Sequence, residues 1–80
     1  MSAAEAQDAK SLLLQYDDEY RQLAEQHYHL DHRLDELTGK HYFSSSDQLE
    51  EVTLKKRKLA VKDRMEEKAR EYVHAHSRAS

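Results

Sequence analysis

The sequence predicts an all-α protein: an antiparallel, coiled-coil-like two-helix hairpin that associates into a four-helix dimer. Three observations carry this expectation. Leu13, Tyr16, Tyr20, Leu23, His27, Leu30, Leu34 and Leu37 follow one another at alternating steps of three and four, the spacing of a stripe that lies against another helix. The 80 residues include no proline and one glycine, the two residues that interrupt helices most strongly. Finally, the apolar positions of the second half project as two neighbouring stripes, one more than a two-helix seam requires.

The first helix is expected over residues 3–38. Ser2 through Glu5 has the S-x-x-E form of a capping box, and Ser11 offers a second start. Gly39 suits the left-handed C′ position that closes a helix. Residues 39–46 then form a connection whose serines compete for backbone hydrogen bonds. The second helix is expected over 47–73. Its cap is Asp47, in a box with Glu50, or Ser46; Asp47, Glu50 and Glu51 put negative charge where the helix dipole favours it. Residues 74–80 read as a polar, frayed tail. A connection this short between helices of similar length implies an antiparallel pair, a rod roughly 40–50 Å long.

In the second helix one stripe is Leu54, Val61, Met65, Ala69 and Tyr72, and the other is Val52, Leu59 and Val73. One stripe meets the first helix; the other calls for a second partner, and a copy of the same chain supplies it most simply. Size points the same way. A single domain of 80 residues has a modest core, and without cysteine there is neither a disulfide framework nor a thiolate metal site. Leu, Ile, Val and Phe number only 14, but the net charge of −3 is small and the apolar residues are regularly placed, which argues for a folded chain. No run approaches the roughly 20 apolar residues of a membrane span, and residues 1–5 lack secretory features, so the expected location is the cytoplasm.

Residues 55–64 carry six basic side chains and one acid, a pattern that suits phosphate binding. Against that, residues 1–37 hold nine acids and three bases, which offers complementary charge nearby. Lys55, Lys58 and Lys62 project into the apolar half of the helix, where their stems cover apolar surface; Lys56, Arg57 and Arg64 point outward. With Leu37 opposite Leu49, Asp31 falls opposite Lys55 and His27 opposite Leu59. An Asp31–Lys55 or Asp31–Lys58 pair, partly shielded, would fix the register.

His27, His29 and His32 lie within six residues. Only His29 and His32 could share a metal, with Glu25 or Glu36, and no HExxH element is present, so no metal or other cofactor is expected. His27 falls on the seam as a core histidine, with a pH response as its functional alternative. Nothing supports catalysis: no Gly-x-Ser-x-Gly elbow, no Gly-rich phosphate loop and, on a thin rod, no pocket that excludes water. Tyr42 and Phe43 in the connection either cover the end of the hairpin or dock another protein.

The segment Leu23-Ala-Glu-Gln-His27-Tyr-His-Leu30-Asp31 resembles the L-x-x-x-H-x-x-L-D element of the small YdcH-like bacterial proteins. Leu54-Lys-Lys-Arg-Lys-Leu59-Ala-Val-Lys62-Asp63 resembles their L-K-K-x-K-L-x-x-K-D element, and the likeness spans residues 12–70. The resemblance implies a short cytoplasmic helical hairpin and singles out His27, Leu30, Asp31, Lys55, Lys56, Lys58, Leu59, Lys62 and Asp63. It supplies no activity, because that family is of unknown function. The extra histidines and the Ser-rich connection depart from its pattern. The combined expectation is a non-enzymatic interaction or adaptor protein, with a second copy and another protein as partners. Weak nucleic-acid binding through the basic helix and metal response through His29 and His32 are the alternatives.

Overall fold

A break at Asp17 divides what the seam spacing predicts as one continuous helix. The computed structural model describes residues 3–77 and is all-helical over them, with α1 at Ala3–Tyr16, α2 at Asp18–Thr38 and α3 at Ser45–Ser77. Asp17 has extended backbone angles, φ −114° and ψ 110°, and its carboxylate accepts the Tyr20 N–H at 2.8 Å. In an unbroken helix that N–H would reach the Tyr16 carbonyl. Asp17 therefore caps α2, and Asp18 and Glu19 follow in its first turn, where the helix dipole favours acids. The ladder resumes at once: Asp17 N–H donates to the Leu13 carbonyl at 2.9 Å and Arg21 N–H to the Asp17 carbonyl at 3.0 Å. The result is a kink, produced by a side chain inserted into the hydrogen-bond ladder.

The kink decides which residues reach the interior. Leu13 and Tyr20 are buried and meet Ala69, with Met65 and Tyr72 packed against them. Tyr16, expected on the seam between them, is instead 79% exposed. A second cluster joins Leu34, Leu37 and Leu54, with Leu30 and Phe43 against it. Leu37 is fully buried, and its neighbour across the seam is Leu54, not the predicted Leu49, which stands 71% exposed. The facing residues differ from the expected ones within a similar overall register, and His27 lies half-buried beside Lys62 and Met65, not against the exposed Leu59.

Three termini also differ from expectation. Gly39 is right-handed, with φ −84° and ψ −4°. Its N–H reaches the Asp35 carbonyl at 3.1 Å and Lys40 N–H reaches Leu37 at 3.3 Å, so a tightened last turn closes α2 without a left-handed residue. The cap of α3 is Ser44, ahead of the predicted Ser46 or Asp47. Ser44 Oγ accepts the Asp47 N–H at 3.1 Å while the Asp47 carboxylate accepts the Ser44 N–H at 3.0 Å, a reciprocal box set three residues earlier. At its other end α3 continues through His74 and His76, where a frayed tail is predicted; the His76 ring stacks on Tyr72 at 3.8 Å. Ser11 lies inside α1, and the Ser2 cap and residues 78–80 lie outside the described residues. The backbone extents are 55 × 20 × 19 Å, and no helix among the described residues is long and apolar enough to cross a membrane.

Candidate interaction surface

Ionic contacts flank the two apolar clusters along α3, and they take up Asp31, Lys58 and Arg64 among the charged residues singled out in the sequence. Near the connection, Arg33 grips Glu50 through two hydrogen bonds of 2.9 and 3.0 Å. The Arg33 guanidinium draws the Glu50 carboxyl below its ordinary range, as expected of a bidentate pair. On the opposite flank Lys58 bonds Asp31, the second of the two partners expected for that acid, and holds its carboxyl down as well. Further along, Arg64 reaches Glu19 at 3.1 Å and Glu67 at 3.1 Å. It is thus a seam residue, not the outward cation predicted. Lys10 of α1 bonds Glu66 at 2.7 Å. From Asp17 to Arg33 the partners in α3 descend from Lys68 to Glu50, while Lys10 reaches Glu66 outside that order.

The densest contact sits at the kink, at residues sequence reasoning did not select. Lys68, its side chain only 12% exposed, reaches Asp17 at 3.1 Å and Glu19 at 3.4 Å. Burial works to lower the Lys68 pKa, but the bonds to the two acids outweigh it and the group ends raised. Asp17 is held low first by the Tyr20 N–H and then by Lys68, against a desolvation cost. Arg21 completes the arrangement by donating to the Gln15 carbonyl at 3.1 Å, an acceptor at the end of α1. One signal was available: Lys68 falls at a three-to-four step between Met65 and Tyr72, on the inward stripe of α3.

The other selected residues remain on the surface. Lys55 pairs with Glu51, four residues earlier in the same helix, at 3.4 Å. Lys56, Arg57 and Asp63 are exposed and make no ion pair among the described residues, and Lys62 is exposed beside Glu66. Leu30 lines a shallow groove of about 460 Å³ with Gln26, His29, Arg57, Ala60 and Val61. The connection divides its two aromatics: Phe43 packs on the Leu34–Leu37–Leu54 cluster, whereas Tyr42 is 80% exposed. His29 faces Glu25 at 3.7 Å and His32 faces Glu36 at 3.1 Å, each pair within one helix. No group of three His, Asp or Glu residues among the described residues could hold a metal ion.

On α3, Leu49, Val52 and Leu59 are 71, 51 and 59% exposed. At 100° per residue they lie away from Leu54, Met65 and Ala69, so the core leaves them bare. This is a small helical protein with an apolar interior flanked by ion pairs and an apolar stripe outside. A model of a family described as a protein of unknown function, DUF465, matches residues 21–67 of the chain, and the chain belongs to that family. The match is consistent with the YdcH-like resemblance and contains both of its motif segments, while Asp17 and Lys68 fall outside it. Comparison with curated proteins and with solved structures gave no match.

Proposed function

We propose that this member of the DUF465 family is a non-enzymatic, cytoplasmic antiparallel hairpin that self-associates and acts as an interaction or adaptor module. The observation that carries the reading is the bare stripe of Leu49, Val52 and Leu59. Monomeric proteins tolerate single exposed leucines, but three large apolar side chains on one helix face are the mark of a surface that another helix covers. The charged side chains support a structural role, since Arg33 pairs with Glu50, Lys58 with Asp31, Arg64 with Glu19 and Lys68 with Asp17 across the helices.

Association that is coupled to folding makes the melting temperature depend on protein concentration. Thermal unfolding followed by circular dichroism over a hundredfold range of concentration tests the reading. A melting temperature that rises with concentration supports it, and one that stays constant overturns self-association. A nucleic-acid role has one favourable observation, the unpaired and exposed Lys56 and Arg57. Two phosphate contacts would give a slope of about −1.8 in log K against log salt on duplex DNA. Absence of salt-dependent binding to DNA or RNA removes that alternative.

A further inference from the structure

We infer that the second copy docks head to tail, through a two-fold axis perpendicular to the long axis of the hairpin, so that the connection half of one chain covers the terminal half of the other. This rests on the self-association proposed above and specifies its geometry. Positions 52, 59, 66 and 73 are seven apart and therefore share one side of α3. In the connection half that side shows Val52 and Leu59, both more than half exposed, with Lys55 between them. In the terminal half Val73 and Leu12 of α1 line one depression, together with Asp8. Glu66, between the two, is bound by Lys10 and so brings α1 alongside this same side.

The chain thus carries two apolar patches about 30 Å apart along α3, a basic residue at one and an acidic residue at the other. A perpendicular two-fold axis near Lys62 lays Val52 on the partner's Leu12 and Val73, sets Leu59 opposite the partner's Glu66, and repeats both contacts at the other end. Lys55 then approaches the partner's Asp8, twice in the dimer. An axis parallel to the helices would instead bring Lys55 to Lys55 and Asp8 to Asp8, placing like charges beside each apolar contact. Opposite charges across an interface select orientation, and the isologous rule requires each patch to meet its complement on both sides.

Because the chain has no cysteine, single cysteines report the orientation directly. Leu12→Cys and Val52→Cys proteins would be mixed at equal concentration, oxidised and resolved by non-reducing electrophoresis and mass spectrometry. A disulfide needs Cα atoms within about 7 Å, so proximity decides which pairs form. The expected result is a Leu12→Cys/Val52→Cys heterodisulfide well above the statistical half of all dimers. A statistical mixture, or homodisulfides in excess, overturns the head-to-tail arrangement. Wild-type molar mass separates the two levels: a dimer with the wrong disulfides defeats only the orientation, whereas a monomer defeats the self-association on which it rests. As a second measurement, Lys55→Glu and Asp8→Lys should each raise the dimer dissociation constant about tenfold, and the double variant should restore it; failure to restore contradicts the Lys55–Asp8 contact.

Discussion

Replacing Asp17 tests whether the kink stabilises the protein or only interrupts it. Asp17→Ala removes the acceptor that Tyr20 N–H uses at 2.8 Å and one of the two acids on Lys68. An N-cap of this type contributes about 0.5–2 kcal/mol, typically about 1. Losing Asp17 leaves Lys68, only 12% exposed, with Glu19 at 3.4 Å, and that places the loss in the upper half of the range. Alanine also favours a straight helix, in which Tyr16 would rotate toward the seam that its spacing suggests. For a domain of this size 1 kcal/mol shifts the melting temperature by about 4–8 °C, so a drop of roughly 6–12 °C is expected. Asp17→Asn keeps the cap but not the charge and should lose less than half as much. Thermal melts at one fixed concentration measure both. A melting temperature for Asp17→Ala equal to or above that of the parent would refute the claim that capping at Asp17 and its contact with Lys68 stabilise the folded chain.

The core and its surface should respond very differently to truncation. Leu37 is fully buried against Leu34 and Leu54, so Leu37→Ala should cost about 2–5 kcal/mol, a large share of the roughly 4–12 kcal/mol expected for 80 residues. Leu49→Ala, at a 71% exposed position, should change monomer stability by no more than about 0.5 kcal/mol while weakening association; urea titration and sedimentation read the two effects separately. Acid should destabilise through Asp47. Its carboxyl is lowered from 3.8 to about 2, first by the Ser44 N–H, then by Lys40 and the Ser44 hydroxyl. A folded-state pKa below the unfolded value contributes stability that is present above pH 3.8 and is lost as pH falls toward about 2. Asp47→Asn should flatten the stability profile in that window, and an unchanged slope in denaturant midpoint against pH would contradict the cap geometry.

Most of the helical architecture can be read from local pattern. Leu13, Tyr20, Leu34 and Leu37 keep their three-to-four spacing because burial on one helix face requires it, and each is buried. Tyr16 fits the same spacing and is nevertheless exposed, because Asp17 inserts its carboxylate into the ladder between them. The Asp17-Asp18-Glu19 run carries that information as a cap followed by two acids, but within a strongly periodic segment it competes with eight seam positions, seven of them apolar, that all fit a single helix. At Ser44 the missed signal is similar: a serine three residues before an acid, obscured by Ser45 and Ser46, which serve equally well by composition. Lys68 escapes notice because lysine usually marks a solvated face, while its burial depends on two acids that only the kink brings within reach. The choice of Leu49 as the residue facing Leu37 fails for a reason already present in α3: at 100° per residue Leu49 turns away from Leu54, Met65 and Ala69, and Leu54 joins Leu37 in the core instead.

Sedimentation equilibrium of the wild-type chain is the most direct test of self-association. The chain mass is 9.4 kDa. The account predicts a species of twice that mass at micromolar concentration, persisting at high salt because Leu49, Val52 and Leu59 supply the contact surface. A well-folded species of 9.4 kDa at every concentration would contradict it.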